Sequence, residues 1–190
     1  MRMWIGCLAA YNCGRLHGEW AEVSTGSDEN ADAIARVLKA SPIAGAEEYL
    51  IADYEAPDAL ARLLGEYPTS EALADAARLL ETVEARWPDP DDIDATLSIM
   101  LDGMRQRDLA DLADGAEDWL ADRFAGEGDT LAAWCADLLD ETGFFAGIEG
   151  AARETVERYF DFESYARDFV LGGDISTART GGRVLVFWNR

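Results

Sequence analysis

Two hydrophobic periods alternate along this chain, and the places where one gives way to the other mark its elements. Residues 2–10 are apolar and β-prone around Trp4, Ile5, Cys7 and Leu8. Asn12-Cys13-Gly14 is a turn signal, and Leu16 to Val23 reads as a returning strand with Leu16, Gly18, Trp20 and Glu22 on one side. Together they predict a hairpin. Ser27 or Asp28 then caps a helix to about Lys39, with Ile34, Val37 and Leu38 inward, and Ser41-Pro42 ends it. A third strand follows at Glu48 to Tyr54.

From Pro57 the period is helical. Leu60, Leu63 and Leu64 mark one helix, with Pro57 in its first turn. Pro68 closes it, Thr69 or Ser70 caps the next, and Leu73, Ala76, Ala77, Leu80 and Val83 share a face over 71–86. Trp87-Pro88-Asp89-Pro90 is a stop and a new start: Asp89 caps, Pro90 takes the first helical position, and Ile93, Leu97, Met100 and Leu101 form the stripe to about Met104. A further short helical segment is predicted over Asp108 to Asp114.

An internal echo bears on the next segment. Gly45-Ala46-Glu47-Glu48-Tyr49-Leu50 returns as Gly115-Ala116-Glu117-Asp118-Trp119-Leu120. Ala116, Trp119, Leu120 and Phe124 fit a helix by period; by analogy with the first copy, 116–124 is a strand, and that is the expectation adopted. Asp129 is expected to cap a helix burying Leu131, Trp134, Cys135, Leu138 and Leu139, with Gly143 just past its end. Phe144, Phe145 and Ile148 continue the core. Asp161 caps a last helix whose stripe is Phe162, Tyr165, Ala166, Phe169 and Val170; Phe160 and Tyr165 staple its entry, and Glu163 and Arg167 are spaced to pair. A hairpin ends the chain: about Ile175 to Ala178, a turn at Thr180-Gly181-Gly182, and Val184 to Trp188. This last strand is apolar on both faces and so is expected to be central or covered. The expected fold is α+β in small modules: an α+β unit over 1–68, a helical unit over 69–112, and a second α+β unit over 113–190.

Charge changes the picture more than composition does. The 190 residues are 49% hydrophobic, enough for a folded core, yet 38 acids face 16 bases for a formal net charge of −22. Such a chain repels nucleic acid and anionic membrane and attracts basic partners. At one charge per ~1.7 Å, this matches roughly 37 Å of duplex DNA, about one helical turn. Solubility or a salt-rich cytosol is the commoner reason for acidity in proteins generally, and charge alone does not choose between these readings. The middle of the chain concentrates the acids: Asp89, Asp91, Asp92, Asp94, Asp102, Asp108, Asp111, Asp114, Glu117, Asp118 and Asp122 stand against Arg105, Arg107 and Arg123. They are expected on its outer face. Helix macrodipoles account for Asp91 and Asp92, but not for spacing sustained to Asp122.

Little points to chemistry. Cys7, Cys13 and Cys135 suggest neither a disulfide framework nor a zinc site, and buried free thiols in a reducing compartment are the expectation. No signal peptide or membrane span is legible, so a cytoplasmic location is expected. His17, the one histidine, lacks a nucleophile partner and reads as a structural hydrogen-bonder. There is no phosphate-binding loop, dinucleotide fingerprint or nucleophile elbow. The Asp89–Asp94 run lacks the central glycine and terminal glutamate of a calcium loop. Carboxylate pairs are too common among 38 acids to identify a glycosidase. No cofactor, metal or enzymatic activity is expected.

The segment Tyr159-Phe160-Asp161-Phe162-Glu163-Ser164-Tyr165-Ala166-Arg167-Asp168 resembles the antirestriction motif of ArdA-type antirestriction proteins. The resemblance extends through Cys7–Asn12, Leu16–Trp20, Glu47-Glu48-Tyr49, Asp53-Tyr54-Glu55 and Glu141-Thr142-Gly143, in family order; residues 69–127 match only in character. What it implies is an elongated homodimer, carried by mobile genetic elements, whose carboxylates imitate bent duplex DNA. Such a protein occupies the DNA site of type I restriction–modification enzymes, in their methyltransferase core. On that resemblance the partner-facing carboxylates are Asp89, Asp91, Asp92, Asp94, Asp108, Asp111, Asp114, Glu117, Asp118 and Asp122. The motif residues are Glu157, Tyr159, Phe160, Asp161, Phe162, Glu163, Tyr165, Arg167 and Asp168. Two rival classes remain: a general acidic antagonist of basic DNA-binding proteins, and an acid-rich hydrolase.

Overall fold

The computed structural model of the chain describes residues 1–189. The architecture is mixed α+β, and the chain divides into two compact units, Met1–Trp119 and Leu120–Arg190.

The first unit begins with β1 (Arg2–Cys7), α1 (Leu8–Asn12), β2 (Gly18–Glu22), α2 (Ser27–Lys39) and β3 (Tyr49–Glu55). Its sheet is antiparallel in the order β2-β1-β3. Alternation along β1 sends Met3, Ile5 and Cys7 into the core, where Ile5 lies opposite Ile51. The other face carries Trp4 edge-on to Trp20, ring centroids 5.8 Å apart, under the Arg2 guanidinium. Gly18 is required here, since a Cβ would stand 2.4 Å from the Ile5 carbonyl oxygen. His17 Nε2 donates to the Val37 carbonyl over 3.0 Å and ties the strand connection to α2.

Two sequence expectations fail in this region. The first strand stops at Cys7, because Leu8–Asn12 turns into a helical turn that buries Ala10. Leu16 is 92% exposed and lies before β2, whose buried residue is Ala21, opposite Met3. The hairpin exists, with the returning strand shortened to Gly18–Glu22 and the Ala21 side inward.

The helices follow the predicted stripes closely. They are α3 (Asp58–Leu64), α4 (Ser70–Arg86), α5 (Pro90–Met100), a 3-10 turn (Gln106–Asp108), α6 (Leu109–Asp114) and α7 (Ala116–Arg123). The Thr69 hydroxyl accepts from the Ala72 N–H and the Asp89 carboxylate from the Asp91 N–H, satisfying free donors at the starts of α4 and α5. Helix α4 packs against α2, α5 and α6, burying Leu73, Leu79 and Val83.

Residues 116–123 are helical, and the expected strand over 116–124 is corrected accordingly. The Trp119 N–H bonds the Gly115 carbonyl, four residues back, over 2.9 Å, while Ala116 and Leu120 are buried at helical spacing. Helical period and strong helix formers outweigh the echo. Extended backbone begins only at Phe124.

The second unit contains β4 (Phe124–Gly128), α8 (Leu131–Glu141), α9 (Gly150–Tyr159), α10 (Phe162–Gly172), β5 (Ile175–Thr180) and β6 (Arg183–Trp188). The sheet order is β4-β6-β5, so the strand that is apolar on both faces is central, as expected. Gly181 and Gly182 have φ of 51° and 87°, the pair of positive angles that a two-residue hairpin turn requires. Thr130, one residue after the expected Asp129, caps α8.

Candidate partner-binding surface

The predicted motif is a joint between two helices. Helix α9 ends at Tyr159, Phe160 is the extended link, and the Asp161 carboxylate accepts from the Ser164 N–H at 2.9 Å to start α10. That backbone hydrogen bond holds the Asp161 carboxyl below its ordinary pKa. Phe160 and Tyr165 meet at 5.5 Å, the staple that the sequence predicts. Around them Phe145, Phe160 and Phe162 pack mostly edge-to-face, with Phe145 buried and Phe144 half open to solvent. Trp134, Phe169 and Trp188 extend the cluster.

Arg153 locks this joint. Its guanidinium bonds Glu157 on its own helix and Asp140 on α8, and lies 5.2 Å from the Phe145 ring centroid. Hydrogen bonding to Glu157, then to Asp140, raises the arginine's pKa further. The i,i+4 spacing of Arg153 and Glu157 is legible in the sequence; the contact with Asp140, reached through the fold, is not. Motif residues thus divide. Glu157, Phe160, Phe162 and Tyr165 hold the joint, while Tyr159, Glu163, Arg167 and Asp168 are exposed. The expected Glu163–Arg167 pair is replaced: Arg167 donates to the Ser164 hydroxyl over 3.2 Å.

The predicted acidic face divides as well. Asp92 is 2% exposed, beside Ile93, Thr96 and Leu97 on the inward arc of α5. Its expected place on the outer face is therefore corrected: the buried arc is wider than the apolar stripe. Asp94 is half-buried and accepts from the Ala59 N–H at 3.1 Å. Helix α3 has Pro57 at its N-cap, with no side-chain acceptor, so α5 supplies the cap from outside. Asp108 accepts from the Arg105 N–H to close the 3-10 turn, and Asp114 pairs with Arg78, which also holds Asp75 at 2.6 Å. Asp89, Asp91, Asp111, Glu117, Asp118 and Asp122 are exposed.

Exposed acids outside the predicted set lie on the first unit too: Asp28, Glu29 and Asp32 on α2, Glu47 and Glu48 before β3, and Glu66 and Glu71 further on. They are spread over α2, the segment before β3 and the stretch beyond it, with no single acid-rich stretch to gather them in the sequence. Residues Met1–Trp119 hold 25 acids against nine bases, while 120–190 hold 13 against seven. The first unit therefore carries 16 of the 22 net negative charges.

The family model for antirestriction protein (ArdA) matches residues 3–183. The chain belongs to the ArdA antirestriction protein family. The match runs through both units as far as the start of β6, the poorly resembling middle included. A search of curated proteins finds no match.

Among the described residues no group of three His, Cys, Asp or Glu is placed to hold a metal ion. Glu71 and Asp161 are both displaced downward by hydrogen bonds, opposite to the shift of a general acid. Among the described residues no helix is long and apolar enough to cross a membrane.

Proposed function

We propose that this ArdA-family protein blocks type I restriction–modification enzymes by occupying the DNA site of their methyltransferase core. The observation that carries the reading is the first unit's excess of acids, most of them exposed and many of them fixed on packed helices. A restriction enzyme holds duplex phosphates with lysine and arginine. Carboxylates on a folded scaffold meet the same cations with little ordering entropy lost. The net charge steers encounter and makes it sensitive to salt.

The carboxylates proposed to face the enzyme are those both exposed and free of a capping role, led by Asp91, Asp111, Glu117, Asp118 and Asp122. Asp92, Asp94 and Asp114 serve the scaffold. The protein acts as a homodimer in the cytoplasm, and two copies double the charge. Exposed apolar side chains in the motif unit, Phe144, Tyr159, Val170 and Leu171, support a protomer contact there.

The test replaces Asp91, Asp111, Glu117 and Asp118 by their amides together. Inhibition of a purified type I enzyme is expected to weaken about tenfold or more, with the melting temperature maintained. Full potency from the folded variant would remove these residues from the contact. Binding to an unrelated basic DNA-binding protein at equal strength would favour a general acidic antagonist instead.

A further inference from the structure

Two arginines of the first unit meet at one cleft without a carboxylate partner among the described residues. Arg62 lies in the last turn of α3, and Arg105 precedes the 3-10 turn. Both line one cleft of about 400 Å³, walled also by Leu63, Leu101, Met104 and Ser98. Arg2, Arg36, Arg78 and Arg153 all bond carboxylates. Among the described residues neither Arg62 nor Arg105 makes an ion pair, although Asp102 lines the same cleft.

We infer that this cleft binds a small organic anion, a carboxylate or phosphate monoester carrying a compact apolar body. Guanidinium forks match both anions in geometry, and an apolar wall beside them strengthens the short-range attraction. The cleft falls within the size range of small-molecule sites. The first unit's net charge limits what enters. Repulsion from the surrounding acids is screened over about 8–10 Å, so a compact anion gripped by two forks is retained while an extended polyanion is repelled. The ligand bridges α3 to the 101–106 segment. This site stands independently of the proposed action on restriction enzymes.

Amide chemical shifts of the full chain, titrated with phenyl phosphate, benzoate and uncharged benzyl alcohol, test it. Saturable shifts at Gly103, Met104 and Arg105 are expected with phenyl phosphate or benzoate, at a Kd of about 1 mM or tighter. Benzyl alcohol is expected to bind at least about tenfold more weakly. If only one anion binds, the ligand class narrows to it. Arg62 and Arg105 are exposed, so Arg62→Gln with Arg105→Gln leaves the fold intact and lowers anion affinity about tenfold or more. The single variant Arg62→Lys, which keeps the charge but not the fork, also weakens binding. The inference is overturned if neither anion gives saturable shifts, if benzyl alcohol binds equally, or if the double variant binds as the wild type does.

Discussion

Asp91 and Asp94 lie three residues apart on one helix and have separate roles. Asp91 is exposed in the first turn of α5; Asp94 reaches across to cap α3. Asp94→Ala is expected to destabilise the protein by about 1 kcal/mol, the usual effect of losing a cap, read by chemical denaturation. Asp91→Asn is expected to leave stability within about 0.5 kcal/mol. Phe145 is buried in the motif unit against Phe160 and Phe162, beneath Arg153. Phe145→Ala should cost about 3–5 kcal/mol, visible as a large fall in the denaturation midpoint. Asp161 adds a pH dependence. Its folded pKa is lowered by the hydrogen bond from Ser164, so its stabilisation is full above the unfolded aspartate pKa of about 3.9 and is lost as pH falls through the lower folded value. Asp161→Asn is expected to remove that acid-side component, as measured by melting temperature against pH.

At the scale of elements, what the sequence made legible was mostly local. Asp89-Pro90 and Asp161 announce helix starts because their acceptors lie within two or three residues of the donors they satisfy. The two-sided apolar run at 184–188 announces a central strand because both its faces must be covered. What escaped depends on neighbours. Asp94 caps a helix 35 residues earlier, and Arg153 joins α9 to α8 through Asp140. Likewise the echo at 115–120 repeats residue types without repeating the strand neighbour that makes β3 extended. Because α7 is helical, Ala121→Pro, at an exposed position, should destabilise by about 3 kcal/mol or more, with a matching loss of helical circular dichroism. A strand there would leave the helical signal unchanged.

For the whole molecule, the decisive quantity is charge. The family resemblance was legible from motifs near both ends, and the family match spans the chain between them. The net charge was legible by counting, but which carboxylates remain free was not, since Asp92, Asp94 and Asp114 differ from Asp91 and Asp111 only through tertiary contacts. The most direct measurement is inhibition of DNA cleavage by a purified type I restriction enzyme, with duplex DNA and salt titrated against the inhibitor. Competition for the DNA site predicts that excess DNA restores cleavage and that the inhibition constant weakens steeply with salt. Inhibition that excess DNA cannot relieve, or an enzyme untouched across several type I families at high inhibitor excess, would contradict it.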